Sequence, residues 1–142
     1  MPLTGKRILV TGGTGSLGKV LIYRLLKVEM GAPARVTSFT RDEAKQHEMR
    51  LEWKHLAQAT DDLVYKDTYE RLHFQVGDVR DYRSLVRAVR ESDAIFNAAA
   101  LKQVPTCEYF PMEAVHTNVT GPYNLVRAVL DSPKPPAVVI GI

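Results

Sequence analysis

Glycines near the start of the chain have the spacing of a phosphate-binding loop. Residues 10–20 read VTGGTGSLGKV. Counted from Gly13 the segment is G-x-G-x-x-G, and counted from Thr11 it is T-G-x-x-G-x-x-G; both patterns occur in loops that bind the pyrophosphate of a dinucleotide. Counted again from Gly13 it is G-x-x-x-x-G-K, the beginning of a triphosphate-binding loop. The segment therefore raises two candidate ligands, NAD(P) and ATP.

The residue after Lys19 argues against ATP. A triphosphate loop has Ser or Thr at that position, because the hydroxyl binds the magnesium ion that bridges the phosphates. This chain has Val20, which offers no oxygen. A carboxylate at the end of another buried strand is also needed, and the fourth and fifth predicted strands end without one. We therefore favour a dinucleotide and interpret Lys19 as a solvent-facing helix residue.

Each glycine of the loop has a distinct predicted task in a dinucleotide site. Gly12 permits the tight turn, Gly15 lets the backbone approach the pyrophosphate, and Gly18 allows the helix to pack closely on the strand. The phosphates would bind the amide groups of Ser16 and Leu17, at the positive end of the helix dipole.

The end of the second predicted strand bears on which dinucleotide is bound. A carboxylate there accepts a hydrogen bond from the ribose 2′-hydroxyl of NAD, whereas a cation there binds the 2′-phosphate of NADP. The sequence has Thr40, Arg41 and Asp42, with Lys45 one helical turn on. Arg41 can hold a phosphate bidentately, assisted by Thr40 and Lys45, so we favour NADP. Asp42 keeps NAD as an alternative, and the cations could also be surface charges with Asp42 as a helix cap.

Short apolar runs alternate with amphipathic stretches, which is typical of a parallel sheet covered by helices on both faces. The predicted strands lie at residues 7–10, 35–39, 72–76, 93–97 and 137–140. The pattern predicts helices after the glycine loop, at 42–58, from residue 81 and at 112–130, the last kinked by Pro122. Residues 59–71 lose the pattern and are predicted to form a loop or a local elaboration of the fold. We expect one Rossmann-like, doubly wound α/β domain over residues 1–142, with strand order 3-2-1-4-5 and a ligand crevice at the carboxyl ends of strands one and four.

The composition excludes several classes of function. The formal charge is +3 and the pI about 9.1, but basic residues alternate with acidic ones, so no nucleic-acid surface is expected. The single Cys107 cannot form an internal disulfide. His47 and His55 are too far apart on one predicted helix to share a metal ion, and no metal site is expected. No apolar run predicts a membrane span or a signal peptide, so we expect a cytoplasmic protein.

Four blocks of the sequence together resemble a known family. They are ILVTGGTGSLGK, SFTRDEAKQHEMR, GDVRDYRSL and NAAALKQVPTCEYFPMEAVHTNVTG. They resemble the extended short-chain dehydrogenase/reductase superfamily, and within it the polysaccharide-biosynthesis nucleotide-sugar dehydratases, such as the inverting UDP-N-acetylglucosamine 4,6-dehydratases. The resemblance covers nearly the whole chain. It implies a nucleotide-sugar substrate, a homo-oligomer, and a bound NADP that takes a hydride from C4 of the sugar and returns it to C6.

The resemblance also implies a role for each matching residue. The pyrophosphate would be bound by Gly12, Gly15, Ser16 and Leu17. The adenosine ribose and its 2′-phosphate would be bound by Thr40, Arg41, Asp42 and Lys45. The adenine would contact Asp78 and Val79, and the middle of the cofactor would contact Ala98, Ala99 and Ala100. Lys102 would lie near the nicotinamide or the sugar nucleotide, and Asn118 would hold the active-site water and lysine.

One part of the family's machinery is missing from the sequence. The chemistry needs a Tyr whose pKa is lowered by a Lys four residues later, together with a Thr/Ser-Asp-Lys segment after the fifth strand. Tyr23 and Lys27 have that spacing, but they follow the glycine loop and are interpreted as a chance match. We therefore expect an incomplete enzyme that binds NADP(H) and turns over nothing. The alternatives are a stand-alone NADP(H)-binding or sensing module, and half of a related nucleotide-sugar epimerase.

Overall fold

The computed structural model describes residues 2–59 and 63–142 and contains a single parallel sheet. Its five strands have the order β3-β2-β1-β4-β5, which confirms the predicted Rossmann-like topology. The strands are β1 (Arg7–Thr11), β2 (Arg35–Thr40), β3 (Leu72–Val76), β4 (Ala94–Asn97) and β5 (Val138–Gly141). In register, Leu9 of β1 lies between Thr37 of β2 and Ile95 of β4. Because all strands are parallel, their carboxyl ends meet at one edge of the sheet.

Helices cover both faces of this sheet. They are α1 (Ser16–Leu26), α2 (Glu43–Ala59), α3 (Leu63–Arg71), α4 (Tyr82–Arg90), α5 (Val104–Tyr109), α6 (Pro111–Val115) and α7 (Gly121–Leu130), with a π-helical turn at His116–Thr120. On one face Val10 packs with Ile22 of α1 and Met49 of α2. On the other, Phe39 packs with Leu85 of α4 and Leu125 of α7. Each face thus has its own apolar core, as a doubly wound fold requires.

Of the two alternatives predicted for residues 59–71, a loop and a local elaboration, the loop is wrong for residues 63–71. Ala59 ends α2, and residues 63–71 form α3; residues 60–62 lie outside the described part of the chain. The polar sequence of this helix shows no clear helical periodicity, because the helix is stabilised by tertiary contacts and an ion pair. Thr68 is buried, Tyr69 packs against the core cluster of α1 and α2, and Arg71 pairs with Asp67 one turn earlier at 2.8 Å.

The predicted helix at 112–130 has the expected extent but is not uniformly α-helical. The Gly121 N–H donates to the His116 carbonyl five residues back, as in a π-helical turn. Pro122 follows at once and has no N–H to donate, so the irregular turn accommodates it. The segment between β4 and this helix contains the short helix α5. Within the described residues, no helix is long and apolar enough to cross a membrane.

Candidate functional site

A cleft of about 260 Å³ opens at the carboxyl ends of β1 to β4, where the sequence predicts the ligand crevice. Its volume lies just below the range of about 300–1,000 Å³ for small-molecule sites. The cleft is lined by Gly12, Thr14, Gly15, Phe39, Thr40, Arg41, Asp42, Lys45, Gly77, Asp78, Val79, Ala98, Ala99, Ala100, Leu101 and Thr117. The structure therefore gathers most of the predicted site residues around one opening. Ser16, Leu17, Gly18, Lys102 and Asn118 do not line it.

Gly12 forms the floor of the cleft, at a position that accepts no side chain. Its φ is +67°, a left-handed conformation that strains other residues. A Cβ atom there would lie 2.7 Å from the Ala98 carbonyl oxygen and 2.8 Å from the Ala99 Cα. The Gly12 N–H donates to the Phe39 carbonyl at 2.9 Å. At Gly12 the ends of β1, β2 and β4 therefore approach one another through backbone atoms.

The amino end of α1 adjoins the same floor. Gly15 is the N-cap residue, has an extended backbone and makes no side-chain cap. The first amides of a helix, here those of Ser16 and Leu17, have no carbonyl partner within it and carry the positive end of the dipole. Glycine at position 18 allows α1 to lie against the backbone of Gly12, because a Cβ atom there would lie 2.2 Å from the Gly12 carbonyl oxygen. The arrangement can bind an anionic group of a ligand.

Asp42 and Lys45 form the rim at the end of β2. The Lys45 N–H donates to Asp42 Oδ1 at 3.0 Å, so Asp42 caps α2, and the Lys45 ammonium lies 3.5 Å from Oδ2. The backbone bond from Lys45 is the main reason that the pKa of Asp42 lies below its ordinary value. The Thr40 hydroxyl accepts the Asp42 N–H at 3.3 Å. The helix-cap interpretation of Asp42 is therefore correct, and its carboxylate remains half exposed beside Arg41.

Asp78 and Arg80 form the rim at the end of β3. Arg80 donates to Asp78 from Nε at 3.0 Å and from Nη2 at 2.8 Å. Burial acts to raise the pKa of Asp78, but these bonds and the backbone N–H of Arg80 outweigh it and lower the pKa. Arg80 also pairs through Nη1 with Glu113 of α6, whose Oε2 lies 4.0 Å from Arg41 Nη1. One carboxylate thus contacts cations from two loops.

Asn118 holds the loop after β4 in place. Its Oδ1 accepts the Leu101 N–H at 2.8 Å, and its Nδ2 donates to the Leu101 carbonyl at 2.8 Å. Its neighbour Thr117 lines the cleft with a buried hydroxyl that has no partner among the described residues. Lys102 is exposed. In this structure Asn118 therefore positions the wall of the cleft.

The Tyr-x-x-x-Lys spacing at the carboxyl end of α1 does not contribute to the cleft. The Lys27 ammonium lies 4.4 Å above the Tyr23 ring, and that ring lies 6.0 Å from the ring of Trp53 in α2. Neither Tyr23 nor Lys27 is among the residues that line the opening. The pair packs at the contact between two helices, which supports its interpretation as a chance match.

The whole length of this fold matches known proteins. A family model described as "Polysaccharide biosynthesis protein" matches residues 8–141. The chain belongs to this family. The UDP-glucose 4-epimerase of Rickettsia akari (strain Hartford) is 39% identical over 136 residues, covering 95% of this chain and 36% of the relative. The predicted resemblance to nucleotide-sugar enzymes of the short-chain dehydrogenase/reductase superfamily is confirmed, and the chain spans about a third of the length of the curated relatives it matches.

Solved structures resemble this member of the polysaccharide biosynthesis family in fold. Pen from Bacillus thuringiensis has a TM-score of 0.81 and 30% identity, with 99% of this chain and 38% of Pen covered. DesIV from Streptomyces venezuelae, a dTDP-glucose 4,6-dehydratase solved with NAD and TYD bound, has a TM-score of 0.65 and 29% identity, with 89% of this chain and 36% of DesIV covered. The similar proteins thus include an epimerase and a dehydratase by name.

Sequence reasoning missed two buried amides that hold the rim of the cleft in this family member. Gln46 is 4% exposed and donates to the carbonyls of Thr40 at 3.2 Å and Gln75 at 2.8 Å, at the ends of β2 and β3. Asn124 donates to the carbonyls of Val79 at 3.2 Å and Arg80 at 2.9 Å. Each is a polar residue on the inward face of a helix. A buried polar group needs partners, so that placement is the signal that could have revealed both.

Proposed function

We propose that this chain binds a nicotinamide dinucleotide in the cleft, as the cofactor-binding part of a nucleotide-sugar enzyme. The observation that carries the proposal is the side-chain-free floor at Gly12, adjoined by the amino end of α1. A pyrophosphate needs both close backbone approach and unpaired amide donors, and this loop offers both. The binding of NAD by the similar DesIV supports the same class of cofactor.

The residues along the cleft fit the parts of such a cofactor. The pyrophosphate would lie on Gly12 and Gly15 and on the amides of Ser16 and Leu17. The adenine would contact Asp78 and Val79, and the central part would lie along Ala98, Ala99 and Ala100. When bound, the cofactor supplies a hydride acceptor and donor. The chain's own residues bind and orient it, and the paired amide of Asn118 fixes the wall beside its central part.

The 2′-position of the adenosine ribose would lie near Thr40, Arg41 and Lys45, and we propose NADP as the preferred cofactor. Arg41 lines the cleft with 51% of its side chain exposed, so its guanidinium is accessible to a phosphate. NAD is the second candidate, because the carboxylate of Asp42 also lines the cleft and DesIV carries NAD.

The cofactor proposal is tested by measuring dissociation constants for NADPH and NADH from nicotinamide fluorescence. The wild-type chain should bind both and prefer NADPH. Arg41→Ala should weaken NADPH at least about tenfold, because a charge-assisted hydrogen bond is lost, and should change NADH little. Arg83→Ala, which removes an exposed arginine on α4 outside the cleft lining, is the matched control. Equal losses for both cofactors would contradict the preference for NADP, and no binding of either would refute the proposal.

For the whole protein, we propose a nucleotide-sugar 4,6-dehydratase of polysaccharide biosynthesis. Both dehydration and epimerisation can begin with hydride removal from C4 of the sugar, and the name of the Rickettsia relatives makes epimerisation the second candidate. Incubation of the full-length gene product with UDP-N-acetylglucosamine or UDP-glucose distinguishes the two by product mass. A dehydratase product has lost one water, whereas an epimerase product keeps the mass of the substrate. We expect the 142-residue chain alone to bind cofactor without turnover.

A further inference from the structure

Cations and carboxylates are balanced in number at the cleft rim formed by the ends of β2 and β3. The cations are Arg41, Lys45 and Arg80, and the carboxylates are Asp42, Asp78 and Glu113. Every cation already has a carboxylate neighbour in this structure. A phosphate arriving at this rim would therefore have to compete with a carboxylate for its cation.

Glu113 is the one residue of this charged cluster that does not follow β2 or β3 in the chain. It lies on α6, more than thirty residues beyond Arg80 in sequence, and reaches the rim because the π-helical turn joins α6 to α7, which packs against α4. Its Oε2 contacts Arg80 Nη1 and lies 4.0 Å from Arg41 Nη1. Asp78 already holds Arg80 through its Nε and Nη2 atoms, so the charge of Arg80 is balanced without Glu113.

Arg41 is less firmly held than Arg80. Its contact to Glu113 is at the limit of an ion pair, and the two side chains are 51% and 47% exposed. Such a pair is weak in water, so a ligand phosphate can displace the carboxylate. The displaced carboxylate would still lie near the phosphate through its bond to Arg80, and like charges at short distance repel.

We propose that Glu113 determines cofactor specificity by competing with the ribose 2′-phosphate for Arg41, and so limits the preference for NADP over NAD. The inference rests on the proposed binding of a nicotinamide dinucleotide in this cleft. NAD has a neutral hydroxyl at the 2′-position, so Glu113 imposes no such penalty on it. Glu113 acts through charge, and its amide analogue keeps the shape and one acceptor oxygen.

The test compares Glu113→Gln with wild type in NADPH and NADH titrations at low and high salt. NADPH affinity should rise about 1.5-fold to fivefold, the range for an exposed ion pair, while NADH affinity stays constant. The gain should shrink as salt screens the charges. In the double variant Arg41→Ala/Glu113→Gln the part of the gain that comes from competition for Arg41 should vanish, and only the smaller gain from relieved repulsion should remain. Glu108→Gln, on exposed α5, is the charge-matched control.

Other outcomes overturn the inference. If Glu113→Gln changed the affinities for NADPH and NADH equally, Glu113 would have a structural role through Arg80. If Glu113→Gln weakened NADPH binding, Glu113 would help Arg41 to bind the phosphate instead of competing with it. Glu113→Ala, compared by its urea midpoint, separates a folding defect from a binding effect. If the wild-type chain binds neither cofactor, the proposed function itself fails; if it binds both and the NADPH/NADH ratio does not change in Glu113→Gln, only the role of Glu113 fails.

Discussion

Replacing Gly12 by alanine should destabilise the fold through two separable effects. The first is backbone strain, because alanine at a φ of +67° costs about 1 kcal/mol net of the entropy it removes from the unfolded chain. The second is steric, since the new methyl group would lie 2.7 Å from the Ala98 carbonyl oxygen and 2.8 Å from the Ala99 Cα. These are backbone atoms that cannot rotate away, so overpacking adds about 1–3 kcal/mol. We expect a total loss of about 2–4 kcal/mol.

Gly5 provides a control that isolates the steric effect. Its φ is +70°, nearly that of Gly12, but a Cβ atom there has nothing within 4 Å. Gly5→Ala should therefore be destabilised only by the backbone strain, about 1 kcal/mol. Urea unfolding followed by circular dichroism measures the loss of stability in both variants. Nicotinamide fluorescence should show a loss of cofactor affinity in Gly12→Ala and none in Gly5→Ala. Equal destabilisation of the two variants would refute the conclusion that close backbone contact determines glycine at position 12.

Two further predictions concern stability. Asp93→Asn should cost about 2 kcal/mol at pH 7, because Asp93 accepts charge-assisted bonds from Arg7 at 2.8 and 3.0 Å. The side-chain bond from Arg7 holds the pKa of folded Asp93 well below the ordinary 3.8. The stability that this bond contributes is therefore complete above pH 3.8 and is lost as the pH falls toward the folded pKa. Urea unfolding should show a smaller difference between wild type and Asp93→Asn at about pH 2.5, and a constant difference would contradict the assignment. Gln46→Ala should cost about 2 kcal/mol by removing two hydrogen bonds that its buried amide donates to partly buried carbonyls, whereas exposed Gln58→Ala should cost almost nothing in the same unfolding assay.

Most of the cleft lining could be anticipated because its residues follow directly after predicted strands. Gly12, Arg41, Asp78 and Ala98 each stand within a few residues of a strand's carboxyl end. Parallel strands bring those ends to one edge whatever the details of packing, so the topology alone places these residues together. Lys102 lies farther along the loop after β4, where its direction depends on the path of that loop, and the structure places it outside the lining.

The sequence by itself determines the order of the five strands, the parallel topology and the glycine loop of this protein, because each depends on local periodicity and on the conformations that glycine permits. Only the tertiary structure decides which side chains connect the loops. Glu113 reaches Arg80 and Arg41, and Asn118 holds Leu101, across many intervening residues. Such contacts depend on how each helix is rotated and placed on the sheet. The periodicity of a sequence indicates which face of a helix is buried, but it does not indicate which residues that face contacts.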